Sequence, residues 1–417
     1  MVELTGTGLL GSLRILDLTD EKGYLCGRIL ADLGADVIKV EPPGGCPGRR
    51  LGPFYKSNPH PERSLYWFAY NLNKRSITLN LETQDGREIL RQLIKTADIV
   101  VESFPVGYLS RLGLGYAELS ALNSRVILIS ISPFGQTGPR KDYKTSDIVA
   151  LASSGFMYLI GDPDRPPIRI TFPQAYLNAG AEAAVGSLIA YHWRELSGEG
   201  QHVDVSIQLC TTLPMLMTPA AYQFDGTIMK RVGSHRTGVA SVPSRQQWTC
   251  KGGYVSFCLF VAGAARKRAK ALVQWMEDEG MADEFLRSVD WQTFNQEGTE
   301  EEVERVTETI SKFFMTHTQD ELFEGSVKRG ILLYPVYRAE DMLKSPQLQS
   351  RDYWVQVEHP ELGTSITYPG PFIKMSDTPL TRFRRAPLIG EHNGEIYGKE
   401  LGFSLHDLVV LKEANII

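Results

Sequence analysis

A chain of 417 residues with 42% hydrophobic and 22% charged side chains, 38 Gly and 23 Pro has the make-up of a globular protein with a sizeable core, which excludes a fibre or a disordered tail. Forty-four Lys and Arg against 49 Asp and Glu leave a formal charge of −5, so no strong field favours nucleic acid or an anionic membrane, and a small-molecule ligand is expected. Five scattered cysteines without a C-x-x-C pair argue against a disulfide framework or a zinc site, and the absence of a leader-like N-terminus or of 18 consecutive apolar residues predicts a cytoplasmic chain that does not span a membrane.

Residues 14–18 are a short apolar run. Leu25, Ile29, Leu30 and Leu33 then recur at helical spacing until Gly34, and 36–40 is a second apolar run, which together read as a βαβ unit. The pattern returns with a strand at 77–81, a helix that Thr83 can cap and that carries Ile89, Leu90, Leu93 and Ile94, and a strand at 98–102. A helical piece at 118–122 precedes 125–132, where 126–131 is almost wholly apolar, as in a strand buried on both faces. This alternation predicts an α/β fold with a mostly parallel sheet, and ligands beyond the carboxyl ends of its strands.

An Ala-rich helical stretch at 179–196 leads through SGEG (197–200) to a strand at 202–206. Beyond Ala221 the texture changes: 233–244 is polar and loop-like, 254–260 strand-like, 264–276 helical, and 277–308 rich in acidic residues. The expected organisation is a large domain at 1–220, completed by 331–417, and a smaller domain at 225–330.

The loop 42–53 follows a strand end and joins Gly44, Gly45 and Gly48 to Arg49 and Arg50, so it reads either as a phosphate cradle or as a solvated loop. A Gly-x-Gly-x-x-Gly fingerprint is missing after the first strand, which disfavours a nicotinamide enzyme. Lys74, Arg75 and Arg111 lie near strand ends; singly each reads as a surface charge, and together they fit a polyanion. The eight histidines form no H-E-x-x-H, H-x-H or Cys/His cluster, so no metal site is expected. His392 beside Glu391 reads as a base or as part of a turn, and neither Ser154 nor Ser206 has a G-x-S-x-G context.

The runs RILDLT (14–19), LADLGADVIKVEP (30–42), NKRS (73–76), ADIVVESF (97–104), GQTGP (135–139), GEGQHVDVS (198–206) and PLIGEH (387–392) closely resemble class III CoA-transferases, the formyl-CoA and carnitine CoA-transferase family. The resemblance spans nearly the whole chain. It implies a Rossmann-like large domain with a smaller α+β domain, two subunits interlocked as a dimer, and coenzyme A or an acyl-CoA as substrate without a metal. Carried over by position, it implies Lys74, Ser103, Phe104, Arg111 and Leu112 as CoA contacts, Ser103 standing where Asn is frequent. Pro42 stands where some relatives have an adenine-side Arg.

Chemistry in the family rests on one aspartate, which attacks the thioester and passes through an anhydride and an aspartyl-CoA thioester. In this chain Tyr176, 25 residues before Gln201, occupies that position within AYLNAG (175–180). A phenol of ordinary pKa about 10 is no substitute for a carboxylate of about 4. No Asp or Glu lies between Asp164 and Glu182, so a shift of alignment supplies none, and no catalytic residue of the family's type is assigned. The family's glycine-rich loop is missing, the nearest stretch being FVAGAA (260–265), with one glycine. The His-Asp pair of related racemases is also missing, since Ser146 stands near the His position.

Three readings follow from the resemblance. The chain is the nucleophile-free subunit of a heteromeric CoA-transferase, whose homologous partner bears the aspartate, moving CoA from an acyl-CoA such as succinyl-CoA to an aromatic, benzylsuccinate-like acid. Alternatively it is a non-catalytic CoA-binding homodimer. In the third reading it uses another nucleophile among Asp147, Asp162 and Cys26, although these also read as a helix cap, a turn residue and a packed helix residue.

Overall fold

The computed structural model describes residues 8–236, 244–259, 265–380 and 383–417. Its apolar runs become the strands β1 (Arg14–Leu18), β2 (Asp36–Glu41), β3 (Arg75–Thr78), β4 (Ile99–Glu102), β5 (Ile127–Ser132) and β6 (His202–Ser206). They form one sheet in the order β3-β2-β1-β4-β5-β6, every adjacent pair parallel. All of β4 and β5 is buried, as their near-continuous apolar sequence requires of strands covered on both faces. This is the expected α/β architecture, and its strand order is that of Rossmann-type sheets. The chain moves outward from β1 through β2 to β3, then restarts at β4 on the other side of β1, so the direction of winding reverses between β1 and β4.

The helices are α1 (Tyr24–Asp32), α2 (Leu65–Tyr70), α3 (Gln84–Ile94), α4 (Tyr108–Arg111), α5 (Tyr116–Leu122), α6 (Asp147–Ser153) and α7 (Gln174–Ser197), followed by shorter ones. Thr83 caps α3 by accepting the Gly86 amide at 3.0 Å, and Ile89, Leu90, Leu93 and Ile94 bury one face of that helix. Gly86 is required there, because a Cβ would lie 1.9 Å from the Asn80 carbonyl oxygen. Regular pairing of β3 ends at Thr78, short of the expected 81, because the Asn80 amide bonds instead to the Ile416 carbonyl at 2.8 Å. α7 ends on Gly198 in the left-handed region, φ 81°.

The chain divides into two compact units. The sheet unit comprises Met1–Phe156, Ile170–Pro219 and Pro346–Ile417, and the second comprises Met157–Arg169 and Ala220–Ser345. The second unit has an antiparallel sheet of Gln247–Cys250, Gly253–Phe257 and Leu333–Pro335, with a core that includes Trp248, Phe257, Trp275, Phe313 and Phe314. The sequence pattern groups 331–337 with the larger domain; in the structure Leu333–Pro335 completes this small sheet by pairing with Gly253–Phe257. Capping boxes at Thr299–Glu302 and Thr318–Glu321 start its helices Glu300–Thr316 and Gln319–Arg329. Among the described residues no helix is long and apolar enough to cross a membrane.

Candidate functional site

In an open parallel sheet the reversal of strand order leaves a crevice beyond the carboxyl ends of the two strands that flank it. A groove of about 510 Å³ lies there, bordered by Asp20 after β1 and by Ser103 and Phe104 after β4. The Ser103 hydroxyl fastens the two loops: it accepts the Asp20 amide at 2.8 Å and donates to Asp20 Oδ1 at 2.8 Å. The Phe104 amide donates to Glu102 Oε2 at 2.7 Å, and the Phe104 ring packs 4.6 Å from Tyr108. Gly107, at φ 75°, turns the chain into α4, whose last residue Arg111 is exposed at the groove.

Lys22, Arg111, Lys141 and Lys144 line this groove against the carboxylates of Asp20 and Asp142, and Lys22 is ion-paired to Asp20. The surplus is cationic, which suits a phosphorylated ligand. Ser103, Phe104 and Arg111 are therefore brought together. Leu112 closes α4 and packs on the hydrophobic core beneath. The sequence reading missed Lys22, Lys141 and Lys144; the available signals were the position of Lys22 just past β1 and the KDYK run at 141–144 past β5.

Lys74 stands elsewhere. Its ammonium is buried and donates to Asp17 Oδ2 at 2.8 Å, the Tyr24 carbonyl at 3.0 Å and Asn71 Oδ1 at 2.8 Å. Lys39 approaches the other side of the same carboxylate at 3.1 Å. Burial raises the pKa of Asp17, but the two ammoniums outweigh it and hold the carboxyl well below the usual range. Burial in turn lowers the pKa of Lys74. Lys74 also borders a second cavity of about 550 Å³ with Arg384, Arg385, Glu391 and His392.

Two of the other cations singled out in the sequence, Arg49 and Arg75, are committed to the fold, while Arg50 is exposed. Arg49 is 1% exposed; it pairs with both Glu41 oxygens at 2.7 Å and with Glu62 at 2.8 Å, and lies 3.8 Å above the Trp67 ring. With its donors used in this way it is a strut of the 42–53 loop, not the phosphate ligand that composition suggested. Arg75 is held by Asp36, Glu395 and Glu400. His392 accepts the Ser76 amide through Nδ1 at 3.2 Å, and burial lowers its pKa, so it orients a turn against β3.

Tyr176 lies in the first turn of α7 and is 9% exposed. Asp147 Oδ1 accepts the Ala175 amide at 2.9 Å and the Tyr176 amide at 3.4 Å, which starts α7 ahead of the apolar pattern that begins at 179. A carboxylate at this end also complements the helix dipole. Burial first, then the nearby carboxylates of Glu21, Asp20 and Asp147, push the Tyr176 phenol above its ordinary pKa, so it is neutral and un-ionised.

The architecture above, a Rossmann-type sheet with a cationic groove at its switch point, agrees with a family model: that of CoA-transferase family III matches residues 10–393. The chain belongs to CoA-transferase family III. This class III CoA-transferase is 35% identical over 384 residues, 92% of each chain, to the succinyl-CoA:(R)-benzylsuccinate CoA-transferase subunit BbsE of Thauera aromatica. It is 34% identical over 411 residues, 98% of each chain, to the succinyl-CoA–D-citramalate CoA-transferase of Chloroflexus aurantiacus. A crystal structure of a CaiB/BaiF family protein from Brucella suis matches with a TM-score of 0.80 at 27% identity, covering 95% of this chain and 100% of that one.

Two of the three substitutes for a nucleophile in this transferase, Asp147 and Cys26, are placed unfavourably for attack. Asp147 is buried and caps α7. Cys26 is fully buried, and burial together with Asp17 pushes its thiol up to about 12, so it carries almost no thiolate. Asp162 is exposed in a turn of the second unit, where its carbonyl accepts the Arg165 amide and where it reads as the turn residue its sequence context gives. The single-glycine stretch 260–265 falls, but for its last residue, outside the described residues. Among the described residues no group of three or more His, Cys, Asp or Glu is arranged to hold a metal.

Proposed function

We propose that this class III CoA-transferase chain is the nucleophile-free subunit of a heteromer: it holds the CoA thioester in the switch-point groove, while a homologous subunit brings the aspartate. The observation that carries this reading is Tyr176. At the position where the family's resemblance calls for a carboxylate stands a buried phenol whose pKa is raised, not lowered, by its surroundings. A poor nucleophile at that position is expected of a chain that does not perform the covalent step itself.

Two further observations support a partner. The relative BbsE is by name a subunit of a CoA-transferase. In addition, α7 exposes Val185, Ile189 (63%), Trp193 and Leu196 (70%) at i, i+4, i+8 and i+11, an apolar stripe that a second chain would cover. In this reading the partner's carboxylate attacks the thioester carbonyl and expels CoA as thiolate. The thiolate then attacks the enzyme-bound carbonyl of the anhydride, releasing the first acid and leaving aspartyl-CoA thioester, and the acceptor acid repeats the steps in reverse. Arg111, Lys22, Lys141 and Lys144 hold phosphates, Ser103 and Phe104 line the arm that reaches the thioester and Leu112 backs them, whereas Lys74, its three donors spent on Asp17, Asn71 and the Tyr24 carbonyl, supports the sheet and not the ligand. Succinyl-CoA as donor and a benzylsuccinate-like aromatic acid as acceptor follow the relatives' names.

The test is CoA transfer from succinyl-CoA to benzylsuccinate by the chain alone and by the chain co-purified with an aspartate-bearing homologue. Turnover is expected only from the pair. Turnover by the isolated chain overturns the reading, and so does a Tyr176→Phe variant that inactivates the pair without weakening CoA binding, since a residue without a chemical role tolerates loss of its hydroxyl.

A further inference from the structure

Glu102, the last residue of β4, is 6% exposed and carries its carboxyl under the Ser103–Phe104 peptide that borders the groove. Its Oε2 accepts the Phe104 amide at 2.7 Å. In the sheet register it faces Ser130 of β5, whose hydroxyl is its other hydrogen-bonding neighbour. Ser130 Oγ lies 2.9 Å from Nε2 of His202, which is exposed on β6 and stacks on Tyr116. Ser130 thus stands between the exposed His202 ring and a buried carboxyl behind the peptide that borders the groove.

Both charge states of Glu102 fit this chain. Ionised, it accepts from Phe104 and Ser130; protonated, it donates to Ser130 Oγ, whose own proton turns to His202 Nε2. The charged groups that face it are Asp20 and Lys22 from the segment after β1, and His202 beyond Ser130. Burial, with Asp20 adding to it and Ser130 and the Phe104 amide opposing it, pushes the Glu102 carboxyl up to about 7.

We propose that Glu102 is a positioning residue that couples thioester binding in the switch-point groove to the uptake of a proton by its buried carboxyl. This rests on the thioester reading given above. Phosphates held at Lys22 and Arg111 in the same groove repel an ionised Glu102 carboxylate, and a proton taken from solvent on the side of His202 and Ser130 removes that repulsion. By linkage each event favours the other, so binding weakens as pH rises through neutrality.

The test titrates CoA by calorimetry into the full-length chain, wild type and Glu102→Gln, between pH 6 and pH 8, in two buffers of different ionisation enthalpy. Gln keeps an acceptor for Phe104 and a donor for Ser130 but cannot take the proton. The phosphates of CoA titrate alike in both experiments, so the difference between the proteins is the readout. Wild-type affinity is expected to fall about fivefold relative to Glu102→Gln over this range, the fold-change for a bound-state pKa about one above the free value. Excess proton uptake is expected from the wild type alone. Identical pH profiles and proton counts overturn the role of Glu102 and leave the thioester reading standing, whereas absence of CoA binding by both proteins overturns the two together. A second variant, Ser130→Ala, removes a hydroxyl that stabilises the ionised form, so the midpoint of the pH dependence is expected to rise. An unchanged midpoint in that variant also overturns the inference.

Discussion

Lys74 and Arg111 each stand near the end of a strand in the same sheet unit, and sequence context ranks them together as cations for a polyanion. The structure separates them. Lys74 is 3% exposed and spends its three donors on Asp17, Asn71 and the Tyr24 carbonyl, while Lys39 neutralises the same carboxylate from the other side. Arg111 is exposed beside Lys22, Lys141 and Lys144 around a groove. A charge within a paired network holds strands together, and a charge at the mouth of a switch point is available to a ligand. Stability and binding measurements distinguish the two roles.

The largest effect is expected from Lys74→Met. Removing one member of a buried pair leaves a carboxylate less compensated, a loss of about 3–5 kcal/mol read in urea unfolding. The comparison breaks if the variant keeps wild-type stability and loses CoA affinity instead. Next is the stability of Glu102→Gln against pH. The native carboxyl keeps its proton up to about pH 7, whereas an unfolded one releases it near 4.5. Wild-type stability is thus fully present below 4.5 and declines as pH rises through 7, by about 3 kcal/mol in all. The variant is expected to match the wild type near pH 4.5 and to exceed it at pH 8, and parallel stability curves would show that the carboxyl titrates normally.

These two residues also mark what the sequence discloses. Strands such as β5 are legible because burial on both faces demands an uninterrupted apolar run, and α3 because a capping Thr83 precedes Ile89, Leu90, Leu93 and Ile94 at helical spacing. The position of Tyr176 follows from counting back from Gln201. Partnership is another matter: Lys74 meets an aspartate 57 residues earlier, and Arg49 meets the Pro387 carbonyl, so neither charge can be judged committed or available until strand order is known. The same holds for Ser103, whose bond to Asp20 spans 83 residues and exists because β1 and β4 are neighbours. Glu102 in VVESF looks like any polar residue at a strand end, and its altered acidity arises from burial beside Asp20.

On the binding side, Arg111→Ala is expected to weaken CoA by about tenfold, the lower end of what a hydrogen bond to a charged group contributes, with the unfolding midpoint unchanged. A fall in stability comparable to that of Lys74→Met would place Arg111 in the fold and erase the contrast.

The smallest effect belongs to Lys144→Ala. Lys144 is exposed, so its attraction to a phosphate acts through water and is screened within about 10 Å at 0.1 M salt. An exposed pair of this kind contributes about 0.2–1 kcal/mol, which makes CoA binding two- to threefold weaker at low salt. The wild-type and variant affinities should converge as salt rises, because screening removes what the lysine adds. The Arg111→Ala deficit should persist, since a guanidinium that bonds a phosphate directly loses a hydrogen-bonded contact as well as a charge. If the Lys144 deficit instead persisted at high salt, Lys144 would be a direct ligand contact, and the division between committed and available cations would need a further distinction among the available ones.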